Sequence, residues 1–246
     1  MSPAAPHETA PVAQKLRIRY ARRGRMRFTS HRDVGRALER ALRRAEIPMA
    51  YSAGFNPHPK ISYVGAAPTG TASEAEYLEL GLAERTDPDE VRRRLDAALP
   101  AGLDVLEAVE AGSSPLPDRI TGSLWRIRLE GVDVDRAQGA VAAFLARDSI
   151  AVERVIKDGR RTLDARVPVV VLAVSDDGCA ILELVVRHVT PAVRPDDVLA
   201  ALREIADLVP PSPPLVTRLA QGLLADDGRL ADPLDPDRAA TPAGPA

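Results

Sequence analysis

Asn56, His58 and Lys60 fall at alternate positions within residues 51–63, with Pro57 and Pro59 between them. An amide, an imidazole and an ammonium are donor types that hold a phosphate or a carboxylate. The prolines fix φ at two positions and bias Asn56 and His58 toward extended backbone. Residues two apart on an extended segment point the same way, so the three polar groups would share one side. The same residues also suit a tight turn, with Asn56 closing an Asx turn and His58 bonding a backbone carbonyl. His31 and Arg32 stand at another connection of the same region, with Arg22, Arg23 and Arg25 before them and Arg36 after. Brought together, these groups would form a cationic rim for an anion, and a helix start at Ser30 would add free N–H groups. The expected ligand contacts are Asn56, His58, Lys60, His31, Arg32, Arg22, Arg25 and Arg36. Glu74, Glu76 and Glu79 are the carboxylates near enough in sequence to act as a general base.

Much other chemistry has no residues to carry it. There is no phosphate-cradling P-loop, no dinucleotide glycine fingerprint after a first strand and no paired-histidine zinc motif. Cys179 stands alone, which excludes an intrachain disulfide and a multi-cysteine metal or iron–sulfur site carried by this chain. It sits in an apolar run and reads as a small buried hydrophobe. No metal ligand set is expected. His7 falls in the N-terminal lead-in, and His188 ends a strand, where it reads as a surface or cap residue. No run approaches the roughly 18 apolar residues of a membrane span, and residues 1–14 lack the pattern of a signal peptide. The expected location is the cytoplasm.

Net charge is −2, but its distribution is uneven. Residues 15–60 carry 13 Lys and Arg against 3 Asp and Glu, and residues 61–111 carry 4 against 11. Such asymmetry predicts a basic and an acidic side, unless the charges interleave in space. Arginine outnumbers lysine 30 to 3, a bias that genome composition alone can produce.

The elements that must position these groups are legible from pattern. Leu16, Ile18 and Tyr20 alternate with Arg17 and Arg19, as in a half-buried strand with a basic outer face. Ser30 and Asp33 form a capping-box start, and a helix to about residue 45 places Val34, Ala37, Leu38, Ala41 and Leu42 opposite a stripe of Arg32, Arg36, Arg40 and Arg43. A short strand is expected at 47–51, and others at 76–82 and 103–109, while the apolar run 61–64 leads into a Gly/Pro-rich link. Asp87, Pro88 and Glu90 open a second helix. The order β-α-β-β-α-β is that of a ferredoxin-like unit, an antiparallel sheet with both helices on one face. The pattern recurs after residues 112–122, which read as a linker, with a hairpin turn at 157–160 as an addition. The expected fold class is therefore α+β, with two ferredoxin-like (βαββαβ) domains in tandem over 15–111 and 123–224. Residues 1–14 and 225–246 are expected to be a disordered lead-in and tail.

Three stretches together resemble a known family. They are Phe28-Thr-Ser-His-Arg-Asp33, the run from 51 to 62 containing GFNPHPK, and Glu74-Ala-Glu-Tyr-Leu-Glu79. The chain is similar over about 15–220 to the radical SAM-associated domain of unknown function, found alone or fused behind cobalamin-binding radical SAM proteins. The resemblance implies an accessory or substrate-presenting module. The partner would be a cobalamin-binding radical SAM protein bringing its own S-adenosylmethionine, iron–sulfur cluster and cobalamin; this chain carries no cofactor motif. With the basic 15–60 region, the expected function is substrate binding for that enzyme, the substrate being RNA that is modified. Two alternatives stand beside it: a stand-alone enzyme using His58 with a nearby carboxylate, and an interaction module that docks an acidic partner on the arginine stripe.

Overall fold

A computed structural model describes residues 11–157 and 159–240. It is mixed α+β, with antiparallel ladders and five α-helices among the described residues. No helix among them is long and apolar enough to cross a membrane. The chain divides into two compact units, one running to Pro117 and resuming at Leu234, the other spanning Asp118–Pro233.

The first unit opens with β1 (Gln14–Arg22), a 3-10 turn (Gly24–Phe28) and α1 (His31–Arg44). Then come β2 (Ile61–Val64), β3 (Ala72–Leu82), α2 (Pro88–Ala98) and β4 (Leu103–Glu110). β1 lies between β4 and β3, and β2 pairs with β3. The helices start where capping chemistry predicts. Ser30 Oγ accepts the Asp33 N–H and Asp87 accepts the Asp89 N–H, with Pro88 in the first turn. Alternation then decides which face is buried. Leu16, Ile18 and Tyr20 of β1 and Leu78, Leu80 and Leu82 of β3 pack against Val34, Leu38 and Leu42 of α1 and Val91 and Leu95 of α2.

Three expectations differ here. The strand at 47–51 is reduced to isolated bridges, Met49 to Leu82 and Tyr51 to Pro59. Pro48 and Pro59 lack the N–H groups that a ladder needs. β3 begins at Ala72 rather than 76, and its first residues bury Ser73 and Glu76, which carry no apolar signal. The largest difference is the outer face of β1. Arg17 is 2 % exposed rather than solvated, because the C-terminal segment covers it.

That segment was expected to be a disordered tail from 225. Its described part instead forms strand β11 (Leu230–Ala231) and helix α5 (Asp235–Ala240). Arg17 Nη1 donates to both carboxylate oxygens of Asp237, at 2.8 and 2.7 Å. Arg17 also donates to Glu79 (3.0 Å) and to the Ser114 carbonyl (2.6 Å), and the Gly112 N–H donates to Asp237 (2.8 Å). Burial opposes the Arg17 charge, but the bonds and charges of Asp237 and Glu79 hold its pKa above the usual value. The expected 112–122 linker is thereby pinned at its start, and Leu116 within it is fully buried. Residues 1–10 of the expected lead-in lie outside the described residues.

The second unit comprises β5 (Gly122–Leu129), α3 (Val134–Leu145), β6 (Ala151–Ile156), β7 (Gly159–Asp164), β8 (Val169–Asp176), β9 (Ala180–Arg187), α4 (Pro195–Ala206), β10 (Leu215–Leu224) and β11. Its sheet order is β10-β5-β9-β8, while β6 and β7 form a separate hairpin. Asp158 of the expected turn lies outside the described residues, and Gly159 takes φ +128°. α3 and α4 pack on each other through a core that includes Val141, Phe144, Val198 and Leu202.

Candidate functional site

The first unit contains a cleft of about 370 Å³ on the sheet face turned away from α1 and α2. Its polar lining comes from Lys15, Ser52, His58, Lys60, Ser62 and Glu79, and Val12, Pro59 and Gly81 complete it. Strand register explains the assembly. Arg17 pairs with Glu79 and Glu79 with Ser62, so these three form one row across β1, β3 and β2. One pleat repeat along, Lys15 pairs with Gly81, whose N–H donates to the Lys60 carbonyl at 2.9 Å. Lys15, Gly81 and Lys60 thus form a second row, with two lysines flanking a glycine. Their backbones stand about 10 Å apart, twice the usual inter-strand spacing.

Gly81 is the floor between them. A Cβ at this position would lie 3.2 Å from Lys60 Cβ and 3.4 Å from Val12, so a side chain would crowd the space that the lysines border. Neither ammonium has a carboxylate partner among the described residues. The cleft's own carboxylate, Glu79, is already held by Arg17. Two uncompensated positive charges therefore face one concave space, with two hydroxyls and an imidazole beside them. That donor set receives an anion.

The loop that supplies His58 and Lys60 is closed by its own backbone. Ser52 N–H donates to the His58 carbonyl (2.8 Å), and His58 N–H donates back to Ser52 Oγ (3.0 Å). Lys60 N–H donates to the Ala50 carbonyl and Ala50 N–H to the Gly81 carbonyl, both at 2.8 Å, which fastens the loop base to β3. Asn56 lies at the exposed tip outside the cleft lining, beside Phe55, which is 88 % exposed. Gly54 takes φ +122°, a conformation other residues resist, and lets the tip fold.

The expected single cluster is split. In β3, Ser73 pairs with Arg22 at one end of the strand and Gly81 pairs with Lys15 at the other, eight residues or about 26 Å away. Arg22 and Arg25 belong to the first end and His58 and Lys60 to the second, while His31 reaches Tyr63, which pairs with Leu78 between them. His31 and His58 also face opposite sides of β2. His31 packs edge-on against Tyr63, with ring centroids 4.9 Å apart, and Tyr63 packs on the helix-side core, whereas its neighbour Ser62 lines the cleft. Burial, with the Glu39 charge added, pushes the Tyr63 phenol up to about 12.

Arg22 is 2 % exposed, and its Nη2 donates to the carbonyls of Ala67, Pro68 and Thr71. It closes the 65–71 loop and is not presented to a ligand. Arg23 is engaged by Glu74 (2.7 Å) and Asp104 (3.0 Å), and the Glu74 bonds chiefly raise its pKa. Arg36 is exposed and 3.4 Å from Asp33. Arg25, Arg32, Arg40 and Arg43 are exposed. Of the carboxylates considered as a base, Glu79 reaches the cleft and Glu76 is buried, where it accepts the Ala67 N–H.

Lys15, Ser52 and Ser62 were not anticipated as site residues. One compositional signal pointed to Lys15. The chain has only three lysines among its 33 cationic residues, and two of them line this cleft. Arginine serves nearly everywhere else, so lysine, a compact point charge rather than a planar fork, stands out here.

His188, expected at the surface or as a cap, is exposed, and its two ring nitrogens engage groups of the second unit. Nδ1 donates to the Ile120 carbonyl (3.2 Å), so Nε2 accepts from the Ser123 hydroxyl (3.0 Å), which in turn accepts from Trp125 Nε1 (2.9 Å). Desolvation lowers its pKa, the Ile120 bond pulls back, and Arg218 lowers it further. A folded-state pKa below the unfolded one means the unfolded chain binds the extra proton as pH falls. Thermal stability is thus expected to decline as pH drops below about 6.5, and His188→Gln should flatten that part of a melting-temperature profile. An identical profile in the variant would show that His188 does not contribute.

Residues 15–195 match a family model described as an uncharacterized protein conserved in bacteria, DUF2344. No curated protein matches the chain.

Proposed function

Since the chain belongs to the DUF2344 family, whose description assigns no activity, we propose a function from its own geometry: it binds RNA phosphate in the Lys15–Lys60 cleft and acts as a substrate-binding accessory protein. The observation that carries this reading is the pair of lysines flanking Gly81 without carboxylate partners. The exposed Arg25, Arg32, Arg40 and Arg43 support it as a second source of phosphate contacts. The strand order β4-β1-β3, with β2 on β3 and both helices on one face, fits the ferredoxin-like unit expected from pattern. The enzyme served would be the cobalamin-binding radical SAM protein that the resemblance implies, with the reactive cofactors on that partner.

The catalytic alternative draws on one observation, that His58 and Glu79 line the same cleft. Arg17 already occupies the Glu79 carboxylate, so a proton accepted there would cost that ion pair. Binding is therefore the reading the cleft supports better.

The test is RNA binding against salt. For a single strand, log K falls with log salt at about −0.7 per phosphate neutralised. Three or four contacts predict that affinity for tRNA or rRNA fragments drops roughly 20- to 50-fold between 50 and 200 mM salt. Affinity that ignores salt, or no binding at all, would remove RNA from the proposal.

A further inference from the structure

We infer that the cleft is built for a phosphomonoester, the phosphorylated end of an RNA strand, rather than for the internal phosphodiesters of its backbone. This rests on the RNA-binding reading and specifies what part of the RNA the cleft takes.

Charge is the first argument. Lys15 and Lys60 bring two positive charges to one space, and the only carboxylate there among the described residues, Glu79, is paired with Arg17. An internal phosphodiester offers one negative charge, whereas a phosphomonoester carries about −1.5 to −2 at pH 7, because its second pKa is about 6. The doubly charged group matches the two ammoniums, and the singly charged one leaves one of them unpaired in a concave site.

Donor count is the second. A monoester presents three terminal oxygens. Besides the two ammoniums, the cleft lining offers the hydroxyls of Ser52 and Ser62 and the His58 ring. Three oxygens bring more acceptors to these donors than the two free oxygens of a diester. Size and shape are the third. A volume of about 370 Å³ sits at the small-molecule end of ligand sites, enough for a terminal nucleotide and not for a duplex. Phe55 stands at the tip of the loop that carries His58, with 88 % of its surface exposed. Of the other two phenylalanines, Phe144 is fully buried and Phe28 is 62 % exposed. An exposed ring on the loop that walls a phosphate site is a platform on which a base can stack.

The experiment uses the full chain and a fluorescent single-stranded RNA 12-mer in three forms: 5′-phosphate, 3′-phosphate and hydroxyl at both ends. Anisotropy titrations at pH 7.5 are expected to show at least one phosphorylated form binding about tenfold or more tighter than the hydroxyl form. Lys60→Ala and Lys15→Ala should each erase that preference. The preference should also shrink as pH falls below about 6 and the phosphate takes up its second proton. Uridine and adenosine monophosphates should compete, and the matching nucleosides should not. Equal affinity for all three RNAs overturns the inference and leaves RNA binding standing. Competition by monophosphates with no RNA binding keeps the phosphomonoester cleft and removes the RNA. Failure of every probe, inorganic phosphate included, overturns both.

Discussion

Asp237→Ala is expected to destabilise the first unit by about 3–5 kcal/mol, the usual cost of removing one partner from a buried ion pair. Asp237 is 1 % exposed and Arg17 2 %, and the two share a pair of hydrogen bonds at 2.8 and 2.7 Å. Removing the carboxylate leaves the Arg17 guanidinium in the interior with Glu79 as its remaining acidic partner. It also leaves the Gly112 N–H, which donates to Asp237, without that acceptor. Removing both charges avoids the stranded ion, so Arg17→Met with Asp237→Leu should recover much of the loss. A thermal melt followed by circular dichroism should shift down by roughly 10–20 °C in the single variant, on the scaling for units of this size. A shift of a few degrees at most, or a double variant no better than the single one, would mean that the pair does not hold α5 to β1.

Combined replacement of Lys15 and Lys60 by alanine is expected to lower affinity for phosphorylated RNA about 100-fold, with each single change costing about tenfold. A hydrogen bond to a charged group is worth roughly 1.5–3 kcal/mol, and tenfold in affinity is about 1.4 kcal/mol. Neither ammonium is tied to a carboxylate among the described residues, so neither substitution strands a partner there, and the melting temperature should barely move. Lys60→Arg is the sharper variant. It keeps the charge but puts a planar, forked group where Gly81 leaves room for a narrow stem, with Lys60 Cβ already 3.2 Å from the Cβ that Gly81 lacks. Affinity in that variant should stay well below the wild-type value. Full affinity in Lys60→Arg would show that the cleft reads charge alone, and full affinity in the double alanine variant would place the RNA elsewhere.

These outcomes also separate the two meanings of the basic N-terminal segment. Its charge excess looked like a single surface. Arg17 is consumed by Asp237 and Glu79, Arg22 by three carbonyls, and Arg23 by Glu74 and Asp104. What remains presented falls into two places: the lysine cleft on one sheet face, and the arginine stripe on the exposed side of α1.

Local chemistry was readable in one dimension. The alternation of Leu16, Ile18 and Tyr20 sufficed for β1 and its inner face. Ser30 with Asp33, and Asp87 with Pro88, marked where two helices start, because caps and fixed φ act within one turn. The segment carrying GFNPHPK could be singled out, since its prolines and polar groups are neighbours in the chain. The start of β3 was not readable, because Ser73 and Glu76 are buried without being apolar.

Everything that depended on distant partners was decided by the tertiary structure. Arg17 reads as solvent-facing in any window around it, and its partner lies 220 residues away in a stretch rich in Asp, Pro and Ala. His31 and His58 looked like neighbours because both sit at connections, but His31 meets Tyr63 on the helix side of β2, whereas His58 lines the cleft on the other face. Lys15 joins Lys60 only through the register that sets both beside Gly81. By itself, the sequence determined four of the five helices among the described residues, most strands and the identity of the loop that bears His58 and Lys60, because periodicity and capping are short-range. The cleft, its second lysine and the burial of Arg17 came from strand pairing and chain closure, which no local pattern encodes.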